Sequence, residues 1–228
     1  ELGGNLRKVK ETAEGLKPLE LLKKIESEIT ANKNIALYLN SEVEECSGFV
    51  GNFKSRIKTG SNGSSKTVEF EHGAANIATG AGEYNAQEFL HNANKKVFTL
   101  MELEAKLEED KEFSNMLNEV VMIQCVGSRE PERLTCCRVG CTEAVKNAIK
   151  IKRLNPNAKI AVLYRDMRTY GFKEDFYNEA RGMGILFFRF DLDNRPVVTE
   201  DSAGNLEVRV RDLNSTLDLS FSPDALAL

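Results

Sequence analysis

From Pro18 to about Ala31 the apolar positions Leu19, Leu22, Ile25 and Ile29 recur three and four residues apart, which predicts a helix with one buried face. The run "IALYL" then predicts a strand, and two further β-prone runs separated by Gly48 and Gly51 extend it into a β-meander. "GSNGSSK" has the composition of a turn, and "TVEFEHGAANIATGAGEY" leads from an apolar strand into the small residues Ala78, Gly80 and Gly82. Small residues there allow close approach of a ligand or of another strand, and spacing alone does not choose between them. "TLMELEAKLEEDKEFSNML" predicts one helix, capped by Thr99 with Glu102 three residues on.

After residue 118 the pattern becomes that of an α/β unit: strand "EVVMIQCV", a loop, helix "TEAVKNAIKIKRL", strand "KIAVLYRD", helix "KEDFYNEARGMG", strand "ILFFRFD". Right-handed crossovers make this a parallel βαβαβ core. "NLEVRVRD" and "TLDLSFS", alternating apolar and polar around "LNST", predict an antiparallel hairpin with one solvated face. The reading is therefore two domains, 1–118 and 119–228.

Composition narrows the function. A chain of 228 residues that is 41% apolar can bury a core, and 31 basic against 35 acidic residues leave a charge of -4, which excludes the basic footprint of a nucleic-acid binder. No apolar run reaches the roughly 18 residues of a membrane span, and the expected location is cytoplasmic.

Four of the five cysteines fall in one window, at Cys125, Cys136, Cys137 and Cys141, where the first strand of the α/β unit hands over to its helix. Open parallel sheets bind ligands at that crevice, and the positive helix entry favours thiolates. Four thiolates suit tetrahedral zinc or an iron–sulfur cluster, although the spacing matches neither paired zinc knuckles nor a ferredoxin run. The other reading is that some are small buried residues, and Cys125, which continues an apolar strand, is the first candidate for that. Cys46 reads as a strand-packing residue, and neither His72 nor His91 is assigned a role. Arg165 and Arg168, just past a strand end, could hold a phosphate or a carboxylate, or be solvated. No complete glycine-rich phosphate loop is present.

The segments "ELGGNLR", "SGFVGNF", "IATGAGEY", "QCVGSRE", "CTEAVKNAIKIKRLNPNAKI" and "LYRDMRTYGF", in that order, resemble the A subunits of heterodisulfide reductases. The resemblance implies a thioredoxin-reductase-like flavoprotein fold of two dinucleotide-binding domains, here an incomplete FAD-type domain followed by a Rossmann-like, NAD(P)-type domain. It implies FAD, iron–sulfur clusters, and electron transfer to other redox subunits of a heterodisulfide-reductase-like complex, in some complexes with flavin-based bifurcation. By position, Leu2, Gly3 and Gly4 would lie along the flavin, Val43 on the strand passing the adenine, and Ala78, Thr79 and Gly80 on the segment returning to the cofactor. The family's Tyr-Cys-Ser-Arg-x-Cys-Cys stretch reads "TCCRVGC" here: Cys136 and Cys141 keep their places, Cys137 stands for Ser, and Gly140 for the first of the paired cysteines. The resemblance places the FAD pyrophosphate turn before Glu1, so the chain as it stands is expected to be a fragment that holds no stoichiometric FAD and is inactive alone, with a [4Fe-4S] cluster as the expected metal centre. The competing expectation is a cofactor-free or zinc-binding interaction domain.

Overall fold

The computed structural model describes residues 1–60 and 65–228, so most of the expected "GSNGSSK" turn lies outside the described residues. The contacts divide the chain into one unit of Glu1–Lys8 with Lys17–Gly82, and a second of Val9–Leu16 with Glu83–Leu228.

In the first unit, α1 (Pro18–Ala31) begins with proline in its first turn, where the missing N–H costs no helical bond. It buries Leu22, whose methyl groups lie where a side chain on Gly3 would be: a Cβ there would stand 2.4 Å from Leu22 Cδ2, and Gly3 has φ +95°. Two strands of the expected meander form, β1 (Ser41–Phe49) and β2 (Asn52–Thr59), and the third place is taken by β3 (Lys66–His72), antiparallel in that order, with a register shift between Val43 and Glu45. The expected strand "IALYL" is not formed. Residues 35–39 have no ladder partner among the described residues, and Ile35, Leu37, Tyr38 and Leu39 stay close to half exposed.

In the second unit the elements are β4 (Val97–Phe98), α2 (Leu100–Glu109), α3 (Lys111–Met116), β5 (Glu119–Ile123), α4 (Gly140–Leu154), β6 (Lys159–Tyr164), α5 (Glu174–Gly182), β7 (Leu186–Arg189), β8 (Val197–Glu200), β9 (Leu206–Arg211), β10 (Asp218–Phe221) and β11 (Ala225–Ala227). The order β4-β11-β5-β6-β7 makes a five-stranded sheet, parallel throughout. Alternation along each strand splits its side chains between two cores. Val120, Met122, Ile160 and Val162 meet α2, α4 and α5, while Val121, Ile123, Ala161 and Leu163 meet Leu206, Val208 and Val210 of β9. The expected hairpin, β9–β10, is joined by β8 into an antiparallel sheet of three strands that covers the face opposite the helices.

The single helix expected over 99–117 is two. Thr99 and Glu102 form the capping box, but the Asp110 carboxylate accepts from the N–H groups of Glu112 and Phe113 and starts α3 afresh. The expected boundary at 118 also differs from the observed units. β4 pairs with β11, and Asn147 of α4 donates its Nδ2 to the carbonyl of Leu100 at 2.8 Å, which fastens 97–109 to the α/β core. Val9–Leu16 is held to the same core: Glu11 N donates to Glu104 Oε1 at 3.0 Å, and Lys146 Nζ to the Glu11 carbonyl at 3.0 Å. Lys146 Nζ is also 2.6 Å from both Glu104 and Glu143, a buried cation between two carboxylates.

Candidate functional site

Sheet hydrogen bonding continues one residue past β5, with Gln124 N donating to Leu163 O at 2.9 Å, and then breaks at Cys125, whose φ is +66°. Cys125 therefore begins the loop rather than continuing the strand. The loop is fastened from the next strand. Buried Arg165 donates Nη1 to the carbonyl of Arg129 at 2.8 Å and Nη2 to that of Ser128 at 2.5 Å. The same guanidinium stands 3.7 Å from Glu130 Oε1, so Arg165 is buried with a carboxylate partner rather than solvated. Glu130 and Arg133 close a short turn through reciprocal backbone bonds, and Arg129 N donates to Thr135 O at 3.2 Å.

The chain then presents its cysteines to local donors. Cys136 Sγ accepts from Arg138 N at 3.3 Å, and Cys137 Sγ from Gly140 N at 3.4 Å, near the start of α4. Cys125 Sγ has Arg129 Nη1 at 3.8 Å. Cys141, in the first turn of α4, is buried, and its thiol donates to the carbonyl of Asp166 at 3.7 Å. Burial pushes the Cys141 thiol up to about 11, and the nearby charges of Cys125, Cys137 and Cys136 add to the shift. Cys125, Cys136 and Cys137 thus each lie within electrostatic reach of Cys141. Their sulfurs are gathered but do not converge: among the described residues, no three His, Cys, Asp or Glu side chains share a metal-ligand geometry. The reason is local, since the sulfurs of Cys136 and Cys137 are each turned to an N–H of their own loop. Beneath the loop, buried Gln124 leaves Nε2 without a partner, and a cavity of about 20 Å³, room for one water, lies between Gln124, Cys125, Glu130, Arg165 and Arg195.

Sequence reasoning picked out Arg165 and Arg168 but missed Arg129 and Arg189. All but Arg165 surround one carboxylate: Asp166 is 2.5 Å from Arg129 Nη2 and 3.8 Å from Nη2 of both Arg168 and Arg189. The missed signal was the alignment of three strand ends, each carrying an arginine.

In the first unit, Leu2, Gly3 and Gly4 lead into a short turn, and Asn5 Nδ2 donates to Ala81 O at 3.1 Å. That bond brings the Leu2–Gly4 segment beside the one holding Ala78, Thr79 and Gly80, which is irregular and exposed. A Cβ on Gly80 would meet no atom within 4 Å. Val43 lies exposed on β1. Cys46 is exposed rather than packed, and His72 is engaged, its Nε2 2.8 Å from Ser55 Oγ. In the second unit, His91 Nε2 is 3.2 Å from Glu102 Oε2.

No family model matches the chain. Curated proteins do. Over 103 residues it is 40% identical to the A subunit of the ferredoxin:CoB-CoM heterodisulfide reductase of Methanosarcina acetivorans, covering 43% of this chain and 12% of that protein. The chain is similar to heterodisulfide reductase A subunits. The corresponding protein of Methanosarcina mazei is 32% identical over 167 residues, 64% of this chain and 21% of the relative. The iron-sulfur A subunit of the CoB–CoM heterodisulfide reductase of Methanocaldococcus jannaschii is 30% identical over 163 residues, again 64% of this chain and 24% of the relative. The chain thus spans between 12% and 24% of the length of these heterodisulfide reductase subunits. Its fold is that of the cadaverine monooxygenase of desferrioxamine biosynthesis from Erwinia amylovora, solved with FAD: TM-score 0.53 at 10% identity, over 93% of this chain and 56% of that one. This agrees with the flavoprotein fold read from the sequence. Among the described residues no helix is long and apolar enough to cross a membrane.

Proposed function

We propose that the chain is part of a heterodisulfide-reductase-A-like oxidoreductase, dependent on FAD and iron–sulfur, that passes electrons between its flavin and partner subunits. The observation that carries this reading is the gathering of Cys125, Cys136, Cys137 and Cys141 at the carboxyl end of the parallel sheet, in a chain whose relatives include a protein named for iron-sulfur.

The donor chemistry suits a cluster. Backbone N–H groups already point at two of the sulfurs, and such bonds favour the thiolate that a cluster requires and tune its potential. Ligation needs the sulfurs to turn inward from those donors, a rearrangement of the 134–139 loop, while Cys141 stays anchored in α4 and Arg165 keeps the loop base fixed. Leu2, Gly3, Gly4, Val43, Ala78, Thr79 and Gly80 would hold the flavin, and the open backbone at Gly80 leaves room for that approach. Flavin and cluster would supply the redox chemistry, and these residues their position.

The test is anaerobic purification of the full-length protein, with assay of iron, acid-labile sulfide and flavin. About four irons and one FAD per chain for this site, beyond any clusters held elsewhere in the protein, are expected. Flavin with no iron attributable to this loop would refute the cluster reading.

A further inference from the structure

We infer that Gln124 is a positioning residue for the cysteine centre: its buried Nε2–H donates to the sulfur of Cys137 and raises the reduction potential of the cluster that this sulfur ligates. The inference rests on the cluster reading above and adds to it a residue outside the four cysteines.

The side chain holds a donor for which no neighbour supplies an acceptor. Gln124 N donates to Leu163 O at 2.9 Å, so the sheet fixes its backbone. The alternation that turns Val120 and Met122 toward the helices turns Gln124 the same way, toward the start of α4. There it is 3% exposed, and Nε2 is buried with no hydrogen-bond partner. Buried polar groups are paired in the great majority of cases, because an unpaired one has given up its bonds to water for nothing.

Gly140 shows what faces that donor. A Cβ at Gly140 would stand 3.2 Å from Cys137 Sγ and 3.6 Å from Gln124 Oε1, so the sulfur and the carboxamide flank one point that glycine leaves open. The terminal torsion of glutamine is broad and roughly two-fold, so Nε2 can turn to the place Oε1 holds. Cys137 Sγ accepts from Gly140 N at 3.4 Å, and ligation requires it to turn inward from that donor. Gln124 then replaces the bond that is given up. A hydrogen bond to a ligating sulfur stabilises negative charge on it. One-electron reduction adds such charge with no bond formed or broken, so the Gln124 bond strengthens and the potential rises.

The experiment is an EPR-monitored redox titration of the full-length protein, reconstituted without oxygen and reduced with dithionite, on the signal that Cys141→Ser removes. Gln124→Met keeps the length of the side chain and lacks the donor. It should retain wild-type iron and sulfide and move the midpoint of that signal to a more negative potential, by at least about tenfold in the reduction equilibrium constant, or about 59 mV for one electron. Gln87→Met, at an exposed glutamine of the same unit, should leave the midpoint unchanged. Wild-type protein labelled with ¹⁵N in its glutamine side-chain amides should show a ¹⁵N coupling to the same signal, absent in Gln124→Met. A full cluster with an unmoved midpoint in Gln124→Met overturns the inference and leaves the cluster reading standing. If Gln124→Met loses the cluster or the fold, the wild-type ¹⁵N coupling decides, and its absence overturns the inference. A wild-type protein with no signal that depends on Cys141 overturns the cluster reading itself, and this inference with it.

Discussion

Tyr84 lies against Gly127 so closely that a Cβ added to the glycine would stand 2.2 Å from Tyr84 Cδ1. Gly127 also has φ +64°, in the loop that begins at Cys125, and the guanidinium of Arg133 sits 5.8 Å from the centre of the same Tyr84 ring. The ring therefore packs on a backbone that glycine alone keeps clear.

Gly127→Ala should lower stability by about 1–3 kcal/mol through overpacking, with roughly 1 kcal/mol more from the left-handed backbone. Adding Tyr84→Ala should relieve the overpacking and leave the backbone cost. Urea unfolding of both single variants and the double variant checks this, and strictly additive effects would show that the two residues are not coupled.

Lys146 pairs with both Glu104 and Glu143, and it also holds the Glu11 carbonyl. Lys146→Met leaves buried carboxylates without their partner and should cost about 3–5 kcal/mol. Lys146→Met/Glu104→Gln should recover part of that, because one stranded charge is gone. Equal unfolding midpoints for wild type and Lys146→Met would contradict the pairing.

Asp212 supplies a pH-dependent contribution. Burial raises its carboxyl, but bonds from Ser215 Oγ and N, from Arg189 N and from Asn214 N outweigh it and hold the group below its ordinary 3.8. The stabilisation is present above that ordinary value and is lost as pH falls through the lower folded-state value. Asp212→Asn should cost about 1–3 kcal/mol at pH 7 and progressively less in acid. A deficit that stays constant from pH 7 down to pH 2 would contradict it.

The α/β core was legible because its strands alternate between two buried faces, and the start of α2 is marked by a cap. Thr99 and Glu102 stood in the sequence as a capping box and stand in the structure as one. The break at Asp110 was hidden because the apolar spacing runs on through it, and only the turn of its side chain onto Glu112 N and Phe113 N ends one helix and starts the next. β8 was hidden because "VVTE" is too short to show a period of two, and its place is set by pairing Val198 with Val208. At the candidate site, the crowding of the cysteines was visible in their numbering. What one-dimensional spacing lacks is direction: Cys125 in the left-handed region and two sulfurs turned to local N–H groups are properties of the loop's path. The arginines around Asp166 are far apart in sequence and meet only because β5, β6 and β7 run parallel in one sheet.

The central claim, that four cysteines at the end of β5 serve one iron–sulfur centre, is tested most directly by iron and sulfide content across serine replacements in the full-length protein, purified and reconstituted without oxygen. Cys125→Ser, Cys136→Ser, Cys137→Ser and Cys141→Ser should each lower the content by the same one cluster, with Cys141→Ser doing so most completely because α4 fixes that sulfur. Cys46→Ser, on an exposed strand in the other unit, should leave it unchanged. Full iron and sulfide retained in the Cys141→Ser variant would contradict the claim.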